Sequence, residues 1–134
     1  MKISLEYFLS RPCFLLFFAS TLIFVLTFSS AETPKAAELL MFEQKYCSWC
    51  ERWNDEIGGI YHKTSEGIRA PLRRIDIHDQ MPLEFASLQS TVFTPTFVLV
   101  ENGQEIARMR GYPGDEFFWY LLGEMLEKLP KSVK

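Results

Sequence analysis

Two cysteines stand three positions apart in the stretch KYCSWCERW, as Cys47 and Cys50. A pair at this spacing can bind a metal, staple the fold, or pass electrons. Structural zinc needs four ligands, commonly with a second closely spaced pair. His62 and His78 are the chain's two histidines, and they lie 16 residues apart rather than three to five. They read as surface or loop residues, so no metal is expected. A disulfide across so short a loop stabilises little, because the benefit grows with loop length. A dithiol that exchanges with other disulfides is the reading the surroundings favour.

Those surroundings place Cys47 at the end of a strand-to-helix loop, in the first turn of a helix. Helix N-termini carry free N–H groups and about half a positive charge. Both favour a thiolate over a thiol, and thiols in such pairs titrate between about 3.5 and 7.5 instead of near 8.5. The thiolate is the nucleophile, so Cys47 is assigned the attack on a substrate disulfide. Cys50 follows one turn later on the same face and is assigned the resolving step. Lys45 adds a nearby positive charge. Trp49 either joins the helix's apolar stripe or offers a partner a flat contact surface.

The elements around the pair follow from hydrophobic pattern. Residues 38–44 hold a short apolar run that fits a buried strand. The CSWCERWNDEI stretch reads as a helix, with Trp49, Trp53 and Ile57 as its stripe and Gly58-Gly59 interrupting it. Residues 60–70 fit a second short helix with a loop. Residues 71–77 fit a strand in which Ile75 and Ile77 alternate with charge. Pro82 opens a short helix with Leu83, Phe85 and Leu88 apolar. Phe97 to Val100 is a strand, Asn102-Gly103 a hairpin turn, and Ile106 and Met109 continue the return. A last helix starts at Asp115 as N-cap and buries Phe118, Leu121, Leu122, Met125 and Leu129. The order is β, α, (α), β, α, β, β, α. Its strand–helix–strand part calls for parallel pairing and its hairpin for antiparallel pairing. The expectation is an α/β fold with a mixed sheet of about four strands, flanked by helices on both faces.

The start of the chain reads differently. From Cys13 to Phe28 it has no charge, Lys2 and Arg11 precede that run, and Ser29-Ser30-Ala31 follows. This is the layout of a secretory signal peptide, residues 1–31, cleaved after Ala31. The alternative is an N-terminal membrane anchor, although the run is shorter than the roughly 20 residues of a bilayer span. Either way the domain, residues 32–134, is expected outside the cytoplasm, where cysteine pairs carry meaning. Net charge is -3 over 134 residues, so charge alone gives no reason to expect nucleic acid.

Taken together, the CSWC pair, the IDIHDQMP segment and the FTPTFVLVENGQEIARMRG segment resemble the thioredoxin superfamily over most of the domain. More narrowly, MFEQKYCSWCERW, APLRRIDI and FFWYLL resemble the periplasmic SoxS-type thioredoxins of sulfur-oxidation gene clusters. The resemblance implies a thioredoxin-like fold and thiol-disulfide oxidoreductase activity through a redox-active Cys47–Cys50 disulfide, with no other cofactor. It implies that Thr94-Pro95 is cis, with Pro95 positioning substrate, and that Ser48, Trp49, Thr94 and Thr96 contact it. The implied partners are a protein substrate with a disulfide, such as a sulfur carrier, and a membrane thiol-electron donor. A periplasmic monomer is expected. The chain departs from the family in two places. Thioredoxins carry a buried Asp six residues before the first cysteine, where this chain has Met41. Glu43 is the nearest acid and the candidate proton relay, although strand alternation is expected to turn it to the other side. Ser48-Trp49 replaces Gly-Pro, so no redox potential carries over. Disulfide formation or isomerisation, cytochrome c maturation and a non-catalytic binding module stay open as alternatives.

Overall fold

The computed structural model describes residues 36–130. The expected signal peptide or anchor lies outside the described residues. Four strands form one sheet in the order β2-β1-β3-β4. Strand β1 (Glu38–Glu43) runs parallel to β2 (Leu72–Asp76) and antiparallel to β3 (Thr96–Glu101). Strand β4 (Gln104–Arg110) returns along β3. Parallel neighbours require a long crossover. Here it holds α1 (Ser48–Trp53), its π-helical continuation Asn54–Gly58, a 3₁₀ turn Tyr61–Lys63 and α2 (Ser65–Arg69). Helix α3 (Asp115–Leu126) ends the fold.

The apolar run in β1 is continuous because both faces of the sheet are covered. Leu39 and Met41 join Phe97 and Leu99 in one buried cluster, while Leu40 and Phe42 join Val98 and Val100 in another. The first cluster is aromatic. Trp53 lies 5.5 Å from Phe97 and 5.8 Å from Phe118 between ring centroids, and Phe97 lies 5.1 Å from Phe118. These rings bind α1 and α3 to the sheet.

The second face departs from the expected short helix. A single 3₁₀ turn, Leu83–Phe85, stands there instead. Phe85 is buried and Leu83 faces solvent. Phe85 joins the smaller cluster, and Leu88 packs against its edge from beyond the turn. Along α1 and its π-helical continuation the inward stripe is Cys50, Trp53 and Ile57, not Trp49, because Cys50 takes the first inward position. In α3 the N-cap is Gly114, at φ 98°, and Asp115 is the first helical residue. Leu121 is exposed and Leu126 is buried in its place.

The hairpin turn follows its residues. Asn102 (φ 52°) and Gly103 (φ 74°) both adopt the positive φ of a type I′ turn. A register shift at Leu99/Val100 moves the inward positions of β4 to Ala107 and Met109, leaving Ile106 half-buried.

Candidate active site

Strand β1 delivers the chain to the site. After Glu43 it turns through Tyr46, which holds a left-handed φ of 61°, and reaches Cys47, the N-cap of α1. The Cys47 carbonyl accepts the N–H groups of Cys50 and Glu51, each at 3.0 Å. Cys47 Sγ also accepts the Cys50 N–H at 3.1 Å. The sulfur thus does what Ser or Asp oxygens do at other N-caps. Cys47 and Cys50 form a disulfide, with Cα atoms 5.2 Å apart. Cys47 is 7% exposed and Cys50 3%, and both belong to the cluster of Met41, Trp53 and Phe97.

Register brings Pro95 to the same place. Phe42 pairs with Thr96 across β1 and β3, so Pro95, one residue earlier, lies beside the end of β1 from which the cysteine loop springs. The Thr94–Pro95 peptide bond is cis. The Gly111 N–H donates to the Pro95 carbonyl at 2.7 Å, closing the ladder where β4 ends.

Of the other sequence-derived site residues, Ser48 and Trp49 are exposed, Trp49 by 51%, and Thr94 is half-buried. Thr96 is a correction. It is 0% exposed, and its hydroxyl donates to the Phe93 carbonyl at 2.7 Å and lies 3.2 Å from Thr91 Oγ1. Its side chain holds the 91–95 loop and cannot reach a partner.

Glu43 is a second correction. Residues two apart on a strand share a face, so Glu43 points to the side of Met41, not away from it. Arg74 engages both of its oxygens, with Nε to Oε1 at 2.8 Å and Nη2 to Oε2. Arg74 Nη2 also donates to Asn54 Oδ1 at 2.8 Å, on the π-helical continuation of α1. Glu43 therefore belongs to a bracket between β1, β2 and the continuation of α1. His78 Nε2 lies 3.2 Å from Gln44 Oε1, and His62 is exposed. Among the described residues no three His, Cys, Asp or Glu side chains are grouped as metal ligands.

Two aromatic residues beside the site escaped the sequence reading. Tyr46 is 98% exposed next to Cys47, and Phe93 is exposed next to Thr94. Adjacency to the cysteine and to Thr94-Pro95 was the available signal. A polar network on α1 was missed as well. Arg52 Nε donates to Glu56 Oε1 at 2.8 Å, and the Tyr112 hydroxyl donates to Glu56 Oε2 at 2.6 Å. These two bonds, that from Tyr112 first, hold the Glu56 carboxyl below the usual range. Burial, then the bond to Glu56, pushes the Tyr112 hydroxyl up.

A sulfur capped by a helix N–H, joined to a second sulfur one turn on, can undergo thiol-disulfide exchange. Known proteins agree with this chemistry. No family model and no curated protein matches the chain. Solved structures do. The periplasmic thioredoxin SoxS from Paracoccus pantotrophus, in its reduced form, is 41% identical at a TM-score of 0.66, over 69% of this chain and 97% of that one. A thioredoxin-2 of the malaria parasite protein secretion machinery is 22% identical at a TM-score of 0.53, over 69% of this chain and 86% of that one. A thioredoxin from Thermus thermophilus is 18% identical at a TM-score of 0.51, over 69% and 75%. The last two speak for the fold alone. The likeness to SoxS extends over nearly all of that protein, and with the Cys47–Cys50 disulfide it shows that this chain belongs to the thioredoxin superfamily and is a thiol-disulfide oxidoreductase.

Proposed function

We propose that the chain is an exported reductase of protein disulfides, with Cys47 as nucleophile and Cys50 as resolving thiol. The observation that carries this reading is the Cys50 N–H aimed at Cys47 Sγ, at 3.1 Å. In the dithiol form the same N–H favours a thiolate on Cys47. That thiolate attacks one sulfur of the substrate disulfide. The Cys47–substrate bond forms, the substrate S–S bond breaks, and the departing sulfur takes up the proton that the Cys50 thiol gives up. The Cys50 thiolate then attacks Cys47 Sγ. The mixed disulfide breaks, the second substrate sulfur leaves as a thiolate, and the Cys47–Cys50 disulfide closes. Two electrons have passed to the substrate, and a dithiol donor at the membrane returns them.

Thr94 offers backbone to an extended substrate segment beside the sulfurs, with Pro95 next to it shaping the contact, and Ser48 and Trp49 offer side chains. The exported location draws support from the signal-peptide-like sequence of residues 1–31 and from the likeness to a periplasmic thioredoxin. Among the described residues no helix is long and apolar enough to cross a membrane. A monomer acting on a sulfur-carrier protein is the specific form of this proposal.

Trapping tests it. Cys50→Ser stops the second step, so the exported variant accumulates a mixed disulfide that dithiothreitol releases. Cys47→Ser accumulates none. Equal adducts from both variants, or none from Cys50→Ser, refute the assignment. Equilibration with glutathione buffers tests direction, and a potential near about -120 mV, that of a strong oxidant, contradicts a reductant.

A further inference from the structure

We propose that Tyr112, Glu56 and Arg52 form a strut that seats the Trp49 indole beside the cysteine pair, making all three positioning residues for protein substrates. Residues 49 and 52 are one turn apart in α1, and Glu56, on its π-helical continuation, reaches back to Arg52. The Arg52 guanidinium carbon lies 5.6 Å from the Trp49 ring centroid, within cation–π range. Glu56 fixes that guanidinium through Nε at 2.8 Å. An exposed i,i+4 ion pair alone is weak and mobile. Here a third link changes it. The buried Tyr112, 56 positions along the chain, donates to the other Glu56 oxygen at 2.6 Å and packs 6.0 Å from Phe118. With both oxygens bonded, the carboxylate cannot swing away, and the guanidinium stays over one face of the indole. The other face is left to an incoming chain. A side chain ordered before binding loses less entropy on binding. The strut thus prepares the exposed residue between the two cysteines for contact.

This inference rests on the reductase reading, and its test separates the two. Glu56→Gln, on the surface, weakens the strut at its middle. With insulin as the protein disulfide, KM should rise about two- to tenfold, the value of ordering one side chain, while kcat holds. In a Trp49→Ala background the same substitution should add nothing. An unchanged KM, or a rise that persists without Trp49, overturns the strut. Relaxation of the Trp49 indole N–H by nuclear magnetic resonance needs no turnover. Its order parameter should fall in Glu56→Gln and in Tyr112→Phe, and an order parameter unchanged in both overturns the proposal. A wild-type protein inactive on every protein disulfide would instead refute the reductase reading and leave the strut to be judged by the resonance data.

Discussion

Cys47 and Cys50 differ little in exposure, at 7% and 3%, so access alone does not assign their roles. The proposed roles rest instead on the hydrogen bond at Cys47. Cys47 Sγ accepts a backbone N–H at 3.1 Å, and a hydrogen bond to a charged form favours that form. The reduced protein should therefore lose Cys47 to iodoacetamide first, at mildly acidic to neutral pH. Mass mapping at short times should find the label there, and a label appearing first on Cys50 refutes the assignment. At this scale the sequence was legible where chemistry depends on neighbours in the chain. The Cys47–Cys50 pair could be read from spacing alone, whereas the cis bond at Pro95 came from the family resemblance. Thr96 did not yield, because its hydroxyl is taken up by a carbonyl three residues back in a loop that folds over it. Nor did Trp49, which fits the 3.6-residue period about as well as Cys50 does. Only the packed sheet decides which of the two points inward.

Elements were legible in proportion to the length and clarity of their pattern. Strands β1 and β3, the Asn102-Gly103 turn and α3 stand close to where periodicity and turn chemistry place them. The crossover after α1 is polar and short-ranged, so pattern says little about it, and what fixes it is a close backbone approach. Thr64 caps α2 by accepting the Gly67 N–H at 3.0 Å and donates its own hydroxyl to the Tyr61 carbonyl at 2.8 Å. This draws Gly67 so near that a Cβ there would lie 1.9 Å from the Tyr61 carbonyl oxygen. Gly67→Ala should cost about 1–3 kcal/mol, the range for forcing extra volume into packed structure. Gly59 meets nothing within 4 Å of an added Cβ, and its φ of -72° suits any residue. Gly59→Ala should be neutral or stabilising by up to about 1 kcal/mol. Urea unfolding of the two variants checks both, and equal midpoints would contradict the packing argument.

Across the whole molecule, two tyrosines join segments distant in sequence. Tyr61 braces the crossover through its hydroxyl, which donates to the Ala70 carbonyl at 2.8 Å, and ties it to α3 through its ring, stacked 6.1 Å from Trp119. Tyr112 ties the exit of β4 to α1 through Glu56. Burial, foremost, pushes both hydroxyls above their ordinary value. A hydroxyl raised in the fold stays protonated there while the unfolded chain, at about 10, loses its proton. The stabilisation is therefore complete below pH about 10 and is lost as pH rises through the folded values. Glu56 has the opposite sign. Its carboxyl is lowered, first by Tyr112 and then by Arg52, so its contribution is present above the unfolded carboxylate range and fades as pH falls. The alkaline limb should be the steeper, because Tyr61 and Tyr112 titrate out of packed positions while Glu56 lies at the surface. Unfolding free energies of the oxidised protein from urea titration should stay level from neutral pH to about 10, then fall by up to about 1.4 kcal/mol per pH unit for each tyrosine held protonated. In the Tyr61→Phe, Tyr112→Phe double variant the fall should flatten, although stability at pH 7 drops with the lost hydrogen bonds. An alkaline slope identical in the double variant would mean that other groups, not these two hydroxyls, set the upper pH limit of the fold.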